Sequence, residues 1–160
     1  MKRIAFILAV AVFCLGVPGS MLAQTNAAVG TWKLNLEKSK YPAGMAPKSL
    51  TRTVAVDGDS VKYSFDGQGP DGAALSYSFT VKYDGKEYDV TGSGMPFGAD
   101  HISIKKLNSH QFSAVLKKGD KVIGSSTSTV SHDGKTTTLN SKGTDAKGNP
   151  VKSTSIFDKQ

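Results

Sequence analysis

The chain has 160 residues, with 20 Lys and Arg against 13 Asp and Glu and a net charge of +7. Its one cysteine, Cys14, falls within the first two dozen residues, so the rest of the chain has neither a disulfide nor a thiol nucleophile. The positive charge is carried almost wholly by scattered lysines without clustered arginine, which argues against nucleic acid as a partner.

The N-terminus reads as an export signal. Lys2 and Arg3 precede an apolar run over residues 4–17, which Pro18, Gly19 and Ser20 interrupt before Met21-Leu22-Ala23. The run is shorter than the about 20 residues of a membrane span, and Phe13 occupies a position that a lipidation signal at Cys14 would give to a small residue. The expectation is a signal peptide over 1–23 and a single β-barrel domain over 24–160, exported to the periplasm or beyond and not inserted in the membrane after cleavage. The shorter chain would keep 18 basic residues against 13 acidic ones, a charge of +5, with Arg52 its only arginine.

The first strand is predicted over 29–36, where Trp32, Leu34 and Leu36 alternate with Lys33 and Asn35. Pro42 and Pro47 rule out a continuous helix over 37–48, which reads as a wide loop. A second strand, 50–56, places Leu50, Arg52, Val54 and Val56 on one face and turns at Asp57-Gly58-Asp59. Val61, Tyr63 and Phe65 mark the third strand, and Leu75, Tyr77, Phe79, Val81 and Tyr83 the fourth. Asp84-Gly85 reads as a hairpin leading to a fifth strand with Tyr88 and Val90 that ends at Gly92. Beyond a loop with Met95-Pro96-Phe97, Ile102 and Ile104 mark the sixth strand, and Phe112, Ala114 and Leu116 the seventh. The eighth, ninth and tenth (122–131, 136–141 and 151–157) are mostly Ser and Thr.

Ten short strands with turns every 8–12 residues and no helical period predict an all-β, antiparallel fold. Hairpin-length links make sequence neighbours spatial neighbours, and closing the meander removes two bare edges. An up-and-down barrel is therefore expected, with a β-sandwich as the alternative.

Gly30-Thr31-Trp32-Lys33-Leu34 resembles the opening of the calycins, the lipocalins and fatty-acid-binding proteins, whose first strand begins Gly-x-Trp. The resemblance implies structural roles for Gly30 and Trp32, the indole plugging the closed end of the barrel. The last strand lacks the arginine that these families place over the tryptophan, and no helix pair fits after the first strand. The C-terminal half, from Val130-Ser131-His132-Asp133-Gly134-Lys135 to Phe157-Asp158-Lys159-Gln160, also resembles small secreted bacterial proteins with no assigned activity, which implies a fold and a compartment but no reaction.

Arg52 shares its strand face with apolar residues, and two readings follow. It clamps a carboxylate or sulfate inside the barrel, or it reaches the rim and stacks on Trp32 in place of the missing arginine. Candidate ligand-binding residues are Arg52, Tyr63, Phe65, Tyr77, Phe79, Tyr88 and Phe112. The small hydroxyl side chains of the last three strands either line a half-polar interior or face water, since a period of two does not say which. Met95-Pro96-Phe97 forms a portal lip or partner contact, or folds back over its own core. His101, His110 and His132 lack ligand spacing, and no serine is paired with a base, so no metal, cofactor or catalytic residue is expected. The function expected is a non-enzymatic, monomeric binding protein for a small amphipathic or apolar ligand, the alternative being an envelope interaction module with a filled core.

Overall fold

The computed structural model describes residues 26–145 and 147–160, and the expected signal peptide lies outside them. Eleven strands form one antiparallel sheet: β1 (Gly30–Leu34), β2 (Ser49–Asp57), β3 (Ser60–Gln68), β4 (Ala74–Val81), β5 (Asp84–Asp89), β6 (Thr91–Ser93), β7 (His101–Lys106), β8 (Gln111–Lys118), β9 (Lys121–Val130), β10 (Thr136–Thr144) and β11 (Pro150–Lys159). Their order is β5-β7-β8-β9-β10-β11-β1-β2-β3-β4-β6. This is an up-and-down meander curled into a nearly closed, calycin-like barrel, and the sandwich alternative falls.

The turns follow from local chemistry. Asp57 pairs with Ser60 and Lys118 with Lys121, so Gly58–Asp59 and Gly119–Asp120 are two-residue loops. Each puts its glycine first at positive φ, the arrangement that matches strand twist. Apolar side chains alternate along the strands, and Val54, Tyr63, Phe65, Tyr77, Phe79, Val81, Ile102, Ile104, Phe112, Leu116 and Phe157 meet in the interior.

Closure differs from the expectation. Asp84-Gly85 is not a hairpin: β4 and β5 lie side by side without a ladder, and the β5–β7 register shifts between Asp84 and Glu87. The two edge strands of the sheet, β5 and β6, are instead consecutive in the chain, with only Val90 between them. β5 pairs with β7 and β6 pairs with β4, so one bent segment serves both edges. The Val90 amide carries the β5–β7 ladder onward by donating to the Asp100 carbonyl at 2.8 Å. The expected fifth strand is thus two strands, which raises the count from ten to eleven.

One end of the barrel is plugged. Trp32 is fully buried, and its indole Nε1 donates to the carbonyl of Ala28, also fully buried, at 2.9 Å. Asn26 Nδ2 donates to the Tyr83 hydroxyl at 2.8 Å, and the Tyr83 and Tyr63 hydroxyls are 2.6 Å apart. Gly30 has φ +133°, and a Cβ there would come within 2.9 Å of Lys159 Cε. Two expected inward residues point out instead: Val56 is 63% exposed and Leu36 43% exposed, each near a strand end where the barrel wall gives way to a turn or loop.

Candidate ligand-binding site

Arg52 does not reach the rim. It pairs with Trp32 on one side and Phe65 on the other, midway along β2, where an inward side chain has no short path to water. Only 3% of its surface is exposed. Its guanidinium carbon lies 5.2 Å from the Tyr63 ring centroid, and the cation over the Trp32 indole is Lys159 Nζ, at 5.1 Å. The expected stacking on Trp32 is thus made by Lys159. Arg52 Nε and Nη1 have no hydrogen-bond partner, and Arg52 makes no ion pair among the described residues.

The guanidinium opens onto a chamber of about 70 Å³. Tyr63, Phe65, Tyr77, Phe79 and Phe112 line it, as the alternation of their strands requires. Phe65 and Tyr77 stack with centroids 4.6 Å apart, and Tyr63 and Phe79 with centroids 5.1 Å apart. The opposite wall is hydroxylic. Ser113, Ser126, Ser128 and Ser141 face the chamber, and Ser128 Oγ is buried without a partner. The last strands therefore form part of the barrel wall and bring hydroxyls inside. No carboxylate lines the chamber.

The electrostatics follow from this lining. Burial raises the pKa of the Tyr63 and Tyr77 hydroxyls well above the usual phenol range, against the lowering pull of Arg52. Both stay neutral in ordinary conditions, so neither supplies a counter-charge. The lining thus holds one buried cation, and two of its N–H nitrogens and the Ser128 hydroxyl are left without a hydrogen-bond partner.

Above the chamber lies a larger cleft of about 320 Å³. Tyr41, Pro42, Met45 and Pro47 of the long loop form one side, and Leu75, Val151 and Phe97 form others. That loop has no helix. It is held across the mouth by a two-way backbone bridge between Lys40 and Thr154, at 2.7 and 2.8 Å, and by contact of the Tyr41 hydroxyl with Ser155 Oγ at 2.6 Å. Phe65, Tyr77, Pro96, Leu139 and Ser141 line both spaces and form the partition between them.

Tyr88 is a correction. It does not line either space: it is half-buried, and its hydroxyl donates to the Asp84 carboxylate at 3.0 Å. Tyr88 shares a face with its register partner Ile102, but β5 is an edge strand, and there the ring packs against the margin of the core with its hydroxyl turned back to Asp84. Met95, Pro96, Leu139 and the four serines line the chamber beyond the residues named as ligand-binding candidates, the serines on the hydroxylic side of the half-polar interior that is one of the two readings of the last strands. Only pairing with apolar neighbours could have shown which Ser faces are inward; Ser128, for example, lies opposite Phe112 and Leu139. Among the described residues no group of three potential metal ligands occurs.

No protein-family model matches the sequence, and no curated protein matches it. Among solved structures, the fold is similar to that of zebrafish ileal bile acid-binding protein complexed with cholic acid, at 13% identity and a TM-score of 0.52. The match covers 84% of this chain and 99% of the zebrafish chain. At that identity it establishes a shared barrel architecture, the one that the Gly-x-Trp opening implied.

Proposed function

We propose that the protein is an exported, non-enzymatic carrier for a slim amphipathic anion. The head group enters the chamber and pairs with Arg52, and the apolar body lies in the cleft. The observation that carries this reading is the buried guanidinium without a counter-ion. Leaving a charge unpaired in a barrel costs several kcal/mol, and an anionic ligand offsets that cost when it binds.

Size narrows the ligand. About 70 Å³ accommodates a few waters or one carboxylate, sulfate or similar head. The cleft reaches the lower bound of small-molecule sites, about 300 Å³. A fused steroid nucleus like that of the cholic acid in the zebrafish complex does not fit the chamber, whereas an alkyl chain ending in a carboxylate fits the two spaces in series. The smallness of the chamber also supports a second reading, an envelope interaction module with a nearly filled core.

Thermal melting with dodecanoate, dodecanol and dodecylphosphonate separates the two. The carrier reading expects the two anions to raise the melting temperature, dodecanol to do so less, and Arg52→Met to remove the difference. At about 100 times the dissociation constant the stabilisation is about 2.7 kcal/mol. No shift with any of the three favours the module.

A further inference from the structure

The segment Gly94–Gly98 lies over the partition between chamber and cleft. At one end it rests on β4: a Cβ on Gly94 would fall 2.2 Å from Leu75 Cδ2. At the other end the Phe97 ring rests on a pair of glycines in the far wall. Gly124 of β9 and Gly143 of β10 are register partners. A Cβ on either would lie 2.8 or 2.9 Å from Phe97 Cδ2. Two adjacent strands thus omit their side chains where the ring sits. Met95 and Pro96 line the chamber, while Pro96 and Phe97 line the cleft.

The backbone of the segment is held in an unfavourable conformation. Phe97 has φ +61° and ψ +8°, the left-handed region that a bulky side chain seldom adopts. Among the described residues the hydrogen bonds bracing the turn are local, from the Gly98 and Ala99 amides to the Met95 and Pro96 carbonyls at 3.0 and 3.3 Å. Gly94 and Gly98, at φ +92° and +69°, flank it and can absorb a backbone rotation. Seating the ring releases apolar surface from water, and straining the turn offsets part of that gain. Such a balance makes a strap that opens while the barrel stays folded.

We infer that the Gly94–Gly98 strap is a latch, with Phe97 as its bolt and the Gly124–Gly143 pair as its socket, and that its release opens the way from the cleft to Arg52. Phe97 is then the residue that controls access to the chamber. This rests on the carrier reading only for its purpose; the opening itself is a property of the empty barrel.

Two single-thiol proteins test it, in full-length chain with Cys14 replaced by serine. Ser128→Cys puts a thiol in the chamber. Thr137→Cys puts one at a fully buried site that lines neither chamber nor cleft. Each is treated with a small water-soluble disulfide reagent, with and without Phe97→Ala. The latch expects Phe97→Ala to speed labelling of the chamber thiol by about tenfold and to leave labelling of the buried control thiol unchanged. Equal rates at the chamber thiol overturn it, and so does a matching rise at both sites, which would mean global opening. In a second arm, stopped-flow mixing with 11-(dansylamino)undecanoate, a fluorescent chain ending in a carboxylate, should show faster association in Phe97→Ala, and association no faster than in the native chain overturns the latch. A selective thiol response without any binding of this probe supports the latch while counting against the carrier reading.

Discussion

Trp32 and Arg52 are register partners on β1 and β2, yet their side chains take different partners and different roles. The indole closes the plug by donating to Ala28, and the guanidinium turns to the Tyr63 ring and faces the chamber. One adjacent pair therefore separates what holds the barrel together from what strains it.

Arg52→Met follows from that division. Methionine fills a similar length of space without a charge that needs a partner. Replacing buried charges by well-packed apolar groups is often neutral or stabilising by about 1–4 kcal/mol. The variant should unfold at equal or higher urea concentration than the native chain, while binding of dodecanoate is lost. A loss of stability would mean that Arg52 belongs to the structural core.

The plug makes the opposite prediction. Trp32→Phe leaves the buried Ala28 carbonyl without its donor, a penalty of roughly 1–3 kcal/mol, and adds the cost of the space left behind. Lys159 is exposed, and its stacking on the indole is worth about 0.5–1 kcal/mol. Urea melts should therefore rank Trp32→Phe as clearly more damaging than Lys159→Met. The reverse ranking would move the stabilising contact from the indole N–H to its face.

Much of this was legible in the chain itself. Period-two alternation located the strands, and Gly30-Thr31-Trp32 pointed to the plugged barrel. Bulky apolar groups leave alternation little choice, so the aromatic residues of β3 and β4 read as interior from the chain alone. Three features were hidden. The bend at Val90 depends on which partner each half of a short segment finds, and that is a tertiary outcome. The depth of Arg52 depends on the length of β2, which runs three residues beyond it toward the mouth, to Ser49. The inward serines depend on register, because hydroxyl side chains are small enough for either face.

The seam carries its own test. Gly92 and Gly134 both have positive φ, +93° and +68°, so alanine strains the backbone at each by about 1 kcal/mol. Only Gly92 meets a wall: its Cβ would lie 2.1 Å from the Ser76 carbonyl oxygen, whereas nothing lies within 4 Å of the one at Gly134. Gly92 pairs with Tyr77, at the point where β6 joins the sheet to β4. Gly92→Ala should therefore cost well over the about 1 kcal/mol expected of Gly134→Ala, and speed amide exchange at Tyr77 and Ser78. Equal costs would show that β6 contributes nothing to closure.

The other edge of the seam is held by charge. His101 of β7 stands between Asp100, with Nδ1 2.7 Å from Oδ1, and Asp89 of β5, with Nε2 3.2 Å from Oδ1. Asp89 is also its register partner, so this side-chain contact spans the β5–β7 ladder. Hydrogen bonding to Asp100 raises the His101 pKa above its ordinary 6.5, and the charges of Asp100, Glu87 and Asp89 add to the rise. In turn the Asp100 carboxyl is lowered, chiefly by His101 and also by the Gly119 amide. A histidine raised on folding contributes stability that is fully present below its unfolded value, about 6.5, and that is lost as pH climbs through the folded one. Proton NMR should place the His101 midpoint above 6.5. Asp100→Asn should lower it more than Asp89→Asn, because the shorter hydrogen bond is the larger cause. Amide exchange in β5 should quicken relative to β10 once His101 is neutral, since the tie across the ladder then weakens. If β5 and β10 keep the same ratio of exchange rates on both sides of the midpoint, the His101–Asp89 contact does not hold the seam, and the backbone ladder alone fastens β5 to β7.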